Sequence, residues 1–98
     1  MIFDIEQYYV SDDTPGKIKG HWHKTARVRK SPVGARNLCF TATRRYGLAH
    51  RIVNPYNNAV LATFKFNLPN KVVTTYNSPQ FEELVVSGVV DDRMSEQE

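Results

Sequence analysis

The sequence has no acidic residue between positions 14 and 81, a stretch of 68 residues that holds 12 of the 13 lysines and arginines. All ten acidic residues lie in residues 1–13 and 82–98, and the formal net charge of the 98-residue chain is +3. The central stretch therefore has no carboxylate of its own to neutralise its cations, and only the acidic residues of the two ends could do so. This segregation predicts a positive surface that attracts polyanions. It also argues against a two-metal nuclease, which needs clustered carboxylates.

Cysteine and long apolar runs are scarce as well. Cys39 is the single cysteine, which excludes an internal disulfide framework and a CxxC zinc or redox motif. No apolar run approaches the roughly 18 residues of a membrane span, and the first residues do not resemble a signal peptide. Phosphate-binding GxGxxG and P-loop motifs and the GxSxG motif of hydrolases are also missing. These absences predict a cytoplasmic, non-enzymatic protein without a cofactor or a membrane partner.

Residues 17–29 carry the clearest structural signal. Apolar and polar side chains alternate along this segment, which is typical of a strand with one buried and one exposed face. The odd-numbered face is basic along its length, and Gly20 is the expected place for a bend or bulge. Residues 31–36 are predicted to form a turn. Further strands are predicted over residues 2–10, 37–46, 48–53, 59–66 and 71–76.

The C-terminal part of the sequence predicts a helix. Either Asn77 or Ser78 can cap its N-terminus, Pro79 suits its first turn, and Gly88 is expected to end it. The sum is an α+β, mainly β fold of five to six antiparallel strands and one C-terminal helix, with the sheet curled or closed into a small open barrel. We expect residues 1–90 to form a single β-rich domain and residues 91–98 an acidic flexible tail. An edge strand would also allow the chain to form a homodimer.

A basic sheet face is the predicted binding surface. Arginine offers phosphate a bidentate fork and lysine offers a point charge, so the pattern favours a small module that binds nucleic acid, DNA or RNA, through its phosphate backbone. The strand aromatics Trp22, Phe40, Tyr46, Phe64 and Phe66 are expected in the core, on the opposite face. Tyr8, Tyr9 and Tyr56 remain candidates for stacking on bases. The predicted polyanion-binding residues are Lys17, Lys19, His21, His23, Arg27, Arg29, Lys30, Arg36 and Arg45.

Two other functions fit parts of the same pattern. An acidic protein surface would satisfy the same cations, so a small phage- or plasmid-type inhibitor or adaptor is the main alternative. A metal-free ribonuclease is the third, with His21 and His23 as general base and acid. The same two histidines could bind zinc together with Cys39 and His50. Their spacing matches no zinc module and the flanking cations repel a metal, so we predict surface histidines and no metal site.

Overall fold

The computed structural model describes residues 1–14 and 17–87. The sheet is open and antiparallel, with the strand order β2-β1-β3-β4-β5. The predicted mainly β class with five antiparallel strands is confirmed, although the described chain has two helices where one was expected. The predicted tail 91–98 and the expected helix end at Gly88 lie outside the described residues. The elements are β1 (Ile2–Thr14), β2 (Lys17–Arg29), α1 (Pro32–Tyr46), β3 (His50–Val53), β4 (Val60–Asn67), β5 (Val72–Asn77) and α2 (Pro79–Ser87).

The prediction of a strand over residues 37–46 is wrong, because this segment belongs to α1. Ser31 caps the helix, since its Oγ accepts a hydrogen bond of 3.0 Å from the Gly34 N–H. Pro32 follows in the first turn, where its missing N–H costs no hydrogen bond. The segment 31–36, predicted to be a turn, is therefore the start of a helix.

The end of α1 is equally well defined. Gly47 adopts a left-handed conformation with φ of 65°, and its N–H donates to the Thr43 carbonyl oxygen at 2.9 Å. The buried residues recur at the helical spacing of three and four that packs one helix face on a sheet. These residues are Pro32, Ala35, Cys39 and Thr43.

Both helices pack on the same face of the sheet, which we call the covered face. Phe81 of α2 is fully buried there and meets Phe3 of β1 edge to face, with ring centroids 6.3 Å apart. Ser78 caps α2 by accepting a hydrogen bond of 3.1 Å from the Phe81 N–H, which settles the choice between Asn77 and Ser78. The buried core consists of Phe3, Ile5, Ala35, Cys39, Ile52, Leu61, Ala62, Phe64 and Phe81.

A β-bulge divides β2 into two parts with opposite side-chain parity. The pairing partner in β2 shifts from Ala26, opposite Ile5, to Lys24, opposite Glu6. Thr25 is thus the extra residue, and its Oγ1 donates to the Ile5 carbonyl oxygen at 3.2 Å. Side chains before and after the bulge therefore exchange faces. The even-numbered positions before it share a face with the odd-numbered positions after it.

The bulge predicted at Gly20 is wrong, because Gly20 pairs with Val10 within a regular part of the ladder. This glycine instead makes room for an aromatic neighbour. A Cβ atom at this position would collide with the phenol ring of Tyr8. Gly20 is therefore explained by the close approach of a side chain across the strand pair.

The hairpin of β1 and β2 extends beyond the rest of the sheet. Whereas β1 pairs with β2 from Ile2 to Thr14, it pairs with β3 only from Asp4 to Gln7. The distal parts of β1 and β2 consequently form a two-stranded arm. Neither α1 nor α2 is long and apolar enough to cross a membrane, as far as residues 1–14 and 17–87 show.

Candidate functional site

The face of the sheet opposite the two helices is the candidate site, and we call it the open face. Directly paired residues of an antiparallel sheet project to the same face. The register therefore places one row of side chains across all five strands, and from β2 to β5 these are basic, acidic, basic, polar and aromatic. This row consists of Lys24, Glu6, Arg51, Thr63 and Tyr76.

Aromatic rings lie on the open face beside this row. Trp22 pairs with Tyr8, and their ring centroids are 5.2 Å apart in an edge-to-face arrangement. Arg51 stacks over Trp22, with its Cζ 4.3 Å from the ring centroid. Across the sheet, Lys65 Nζ lies 5.6 Å from the centroid of Tyr76, which is 56% exposed. Two patches of paired aromatic and cationic groups thus share one solvent-facing surface.

The prediction that Trp22 lies in the core is therefore wrong, since the bulge turns it to the open face, where it is half-buried. Phe40 and Tyr46 were also expected in the core, but they are exposed on α1. Phe64 is fully buried, as predicted, and Phe66 is half-buried next to Gly47.

The three tyrosines that were candidates for stacking lie in different places. Tyr8 is on the open face. Tyr9 projects to the other side of the arm, where its ring centroid lies 5.4 Å from that of His21. Tyr56 is 82% exposed in the turn that follows β3.

Two carboxylates from β1 lie among the cations of the open face. Asp4 accepts hydrogen bonds from Arg27 Nε at 2.8 Å and Nη2 at 3.3 Å, and Lys24 Nζ lies 3.4 Å from its Oδ2. These contacts, led by the hydrogen bond from Arg27, lower the pKa of Asp4 although its burial opposes the shift. Glu6 accepts a hydrogen bond of 2.6 Å from Arg51 Nε.

These ion pairs neutralise part of the positive charge and leave the cations accessible. The side chains of Lys24 and Arg27 remain 49% and 55% exposed while paired with Asp4. Among the side chains that the structure describes, the open face carries two acidic groups and five basic ones. The basic residues are Lys24, Arg27, Arg29, Arg51 and Lys65.

The predicted site residues do not all share one surface. Arg27 and Arg29 lie on the open face, whereas His21 and His23, which precede the bulge, project to the opposite side. Lys17 and Lys19 pair through their backbones with Thr14 and Ser11, but their side chains lie outside the described part of the structure. The remaining predicted cations lie on or next to α1, on the covered side. They are Lys30, Arg36 and Arg45.

The expectation of a continuous basic face along residues 17–29 is consequently wrong, for a physical reason. A single extra residue, Thr25, reverses the side-chain alternation of a strand. The bulge separates His21 and His23 from Arg27 and Arg29, so the described chain does not bring the histidines together with these arginines for phosphate cleavage. The residues of the candidate site that the sequence pattern did not indicate are Trp22, Lys24, Arg51 and Tyr76. The available signal was the alternation of Asp4 and Glu6 with apolar residues in β1. It indicates that the face opposite the core carries acidic side chains, which can hold cations of the neighbouring strands.

His50 is a buried residue whose two ring nitrogens both have hydrogen-bond partners. It is buried, its Nδ1 faces the Leu48 carbonyl oxygen at 2.8 Å and Thr43 Oγ1 at 3.1 Å, and its Nε2 accepts from Gln7 Nε2 at 3.3 Å. Burial lowers the pKa of His50, which favours the neutral ring. Burial also raises the pKa of the Cys39 thiol to about 12. Among residues 1–14 and 17–87 no three histidine, cysteine or acidic side chains cluster as metal ligands.

Comparisons with known proteins find no match, whether with protein families, with curated proteins or with solved structures. The geometry and chemistry of the open face are therefore the basis for assigning a function.

Proposed function

We propose that the protein binds single-stranded nucleic acid on the open face of its sheet. The observation that carries this proposal is the set of cations and aromatic rings that share this solvent-facing surface. Proteins that bind single strands combine a basic surface, which follows the phosphates, with aromatic side chains on which bases stack.

The aromatic residues supply the contact with bases. Tyr76 offers an exposed ring, and the Tyr8–Trp22 pair offers a second aromatic patch on the same face, towards the opposite edge of the sheet. Base stacking is worth roughly 1–3 kcal/mol per base, and every base has a face that can stack. Paired bases within a duplex are already stacked on one another. The rings therefore favour a single strand over a duplex.

The cations supply the contact with phosphates. Arg29 lies at the end of β2 on the open face, and Arg27 and Lys24 remain half-exposed beside Asp4. Each phosphate that they neutralise releases counterions, so affinity should fall as the salt concentration rises. An acidic protein would also be attracted to these cations and could pack on the exposed rings, so the second measurement below separates it from nucleic acid.

A matched pair of patches allows a sharp test. Lys65 and Tyr76 on the open face form a cation–ring contact of 5.6 Å, and Arg45 and Tyr46 on α1 form another of the same length. The two tyrosines are similarly exposed, at 56% and 60%. Substitutions at the second patch thus remove the same chemistry from a surface outside the proposed site.

The experiment measures fluorescence anisotropy with labelled 12-nucleotide single strands of DNA and RNA, at several salt concentrations. We expect Tyr76→Ala to weaken binding by about 1–3 kcal/mol, which is roughly 5- to 150-fold. Tyr46→Ala and Arg45→Gln should leave affinity within twofold of the original protein. Unaltered binding by Tyr76→Ala, or equal losses at both patches, would contradict the proposal.

A second measurement, capture of binding partners after nuclease treatment, separates nucleic acid from an acidic protein. In the anisotropy experiment, purified protein that binds no oligonucleotide at low salt would overturn the proposal. Capture of one acidic protein after nuclease treatment, lost with Tyr76→Ala, would then favour the adaptor alternative. Equal affinity for a duplex and for a single strand would contradict the assigned role of the aromatic rings.

A further inference from the structure

The two edge strands of the sheet differ in charge. β2 forms one edge, and basic residues recur along its sequence. β5 forms the other edge, and its sequence, VVTTYN, contains no charged residue. Charged side chains on an edge strand oppose its pairing with another chain, whereas an uncharged edge rich in β-branched residues permits it. Among the strands that the structure describes, none pairs with the outer side of β5, so this edge can receive a further strand.

The pairing of β5 with β4 determines which backbone groups face outward at this edge. The Ser78 N–H donates to the Leu61 carbonyl oxygen at 2.9 Å, at one end of the ladder that joins the two strands. Hydrogen-bonded and non-hydrogen-bonded pairs alternate along an antiparallel ladder. Every second residue of β5 therefore directs its N–H and C=O groups at β4, and the residues between them direct these groups away from the sheet. The outward-directed residues are Val73, Thr75 and Asn77.

Apolar side chains are exposed beside this edge on both faces of the sheet. On the open face, Val72 and Tyr76 are 51% and 56% exposed. On the covered side, Phe40 of α1 is 40% exposed and lines a shallow groove together with Thr75 and Asn77. A strand added at this edge would cover part of this apolar surface, and its burial would stabilise the added strand beyond the backbone hydrogen bonds alone.

We propose that the β5 strands of two copies of this chain pair antiparallel, about a twofold axis that passes between their Thr75 residues. In this register Thr75 bonds to Thr75 of the second copy, and Val73 bonds to Asn77 of the second copy, so every outward-directed backbone group is paired. A second copy fits this edge because it brings the same spacing of backbone groups, no opposing charge and the same exposed apolar side chains. Assembly ends at the dimer, because the pairing uses the β5 edge of each copy and the basic β2 edges repel one another.

The dimer joins the two open faces into one continuous surface, built from two five-stranded sheets. The register places Tyr76 of each copy opposite Thr74 of the other, a cross-strand pair in close contact. Lys65 pairs with Thr74 in the ladder of β4 and β5, so Lys65 and Tyr76 of both copies lie near the axis on the same face. This use of the dimer rests on the function proposed above, since a single strand can then pass from one copy to the other across the exposed rings.

Sedimentation equilibrium of the full chain over a wide range of protein concentration measures the assembly. We expect a species with twice the mass of the 11.2 kDa chain. Thr75→Pro removes an outward-directed N–H that takes no part in the ladder with β4, so the chain should fold and its dimer dissociation constant should rise at least tenfold. Thr75→Val keeps the N–H and should change the constant less than twofold. A monomer at every concentration, or a dimer that folded Thr75→Pro leaves intact, would overturn the inference.

A charge-exchange experiment tests the register without a proline. Because Thr75 of one copy lies directly opposite Thr75 of the other, Thr75→Lys and Thr75→Glu should each weaken their own dimer at least tenfold. An equimolar mixture of the two variants should recover dimers, since opposite charges then meet. Ala26→Lys, at an exposed position of β2, should leave the dimer unchanged. No recovery in the mixture would overturn the register, and equal weakening by Ala26→Lys would attribute the effect to net charge and overturn the assigned edge.

Anisotropy measurements with single strands separate this inference from the proposed function. Thr75→Pro leaves each open face complete, so it should bind the 12-nucleotide strand as the original protein does. It should bind a strand of twice that length at least tenfold more weakly than the original protein, because the second contact is no longer on a linked surface. Equal binding of the longer strand by both proteins would overturn the joined surface.

The two proposals also fail in different ways. A dimer that Thr75→Pro dissociates but that binds no oligonucleotide would support the pairing of β5 and overturn the proposed function. A monomer that binds single strands and loses affinity with Tyr76→Ala would support the proposed function and overturn the pairing of β5.

Discussion

The two faces of the sheet differ in composition although the same strands build both. On β1, Phe3 and Ile5 project to the covered face and are buried in the core. Asp4 and Glu6, which alternate with them, project to the open face and hold arginine side chains. The covered face stabilises the fold by burying apolar surface, whereas the open face displays charge and aromatic rings to solvent. Exposed side chains of the open face, such as Tyr76, can therefore be changed with little effect on folding.

The contrast predicts a large difference between two aromatic substitutions. Phe64→Ala removes a fully buried ring from the covered face and should lower the free energy of unfolding by about 3–5 kcal/mol. Tyr76→Ala, on the paired strand but on the open face, should change it by about 0.5 kcal/mol or less. Urea unfolding followed by circular dichroism measures both. If the Tyr76 variant loses as much stability as the Phe64 variant, the open face is buried in an assembly and the contrast fails.

The sequence predicted segments that overlap all five strands, and the capping residues at positions 77–79 predicted α2. The prediction failed at α1, where two periods fit the same residues. Leu38, Phe40 and Ala42 alternate with polar neighbours as in a strand, while Ala35, Cys39 and Thr43 recur as on a helix face. The capping residues at both ends of α1 were the signals that separate the two interpretations.

The candidate site was harder to predict than the fold. The alternation in residues 17–29 is real, but its assignment to faces depends on a bulge of one residue at Thr25. A one-residue shift exchanges the buried and exposed sets of a strand. The residues around Thr25 do not mark it as the position of the shift. The contact that accompanies the bulge, from the Thr25 hydroxyl to the Ile5 carbonyl oxygen, joins residues that are far apart in the sequence. The positions of Trp22 and Arg27 on one face therefore required the structure.

Asp4 links the stability of the open face to its proposed function, and a substitution there should change them in opposite directions. Asp4→Asn removes the negative charge of a buried carboxylate that accepts hydrogen bonds from Arg27. It should lower the free energy of unfolding by about 1–3 kcal/mol. The same change releases Lys24 and Arg27, so affinity for a single strand should rise severalfold and depend more steeply on salt. Unfolding and anisotropy measurements on the same variant test both statements.

The control for Asp4→Asn is Glu82→Gln, which makes the same change in net charge at an exposed position of α2. It should alter binding much less, because it lies away from the open face. Equal gains in affinity from both variants would attribute the effect to net charge alone.

Acid unfolding provides a further check on the role of Asp4. Because the pKa of Asp4 is lowered in the folded chain, its contribution is present above pH 3.8 and is lost as the pH falls through the folded value.

The covered face should have its own, smaller dependence on pH, through His50. Burial lowers the pKa of His50 below its ordinary value of 6.5, so the unfolded chain binds the proton more tightly than the folded chain. The contribution of the neutral ring is therefore present above pH 6.5 and declines as the pH falls below it, by at most about 1.4 kcal/mol per pH unit for one proton. Urea unfolding between pH 5 and 7.5 should show a decline that His50→Gln reduces. His21→Gln, which replaces a histidine outside the buried core, is the matched control. An identical pH dependence in His50→Gln and the original protein would show that another group on the covered face carries the acid sensitivity.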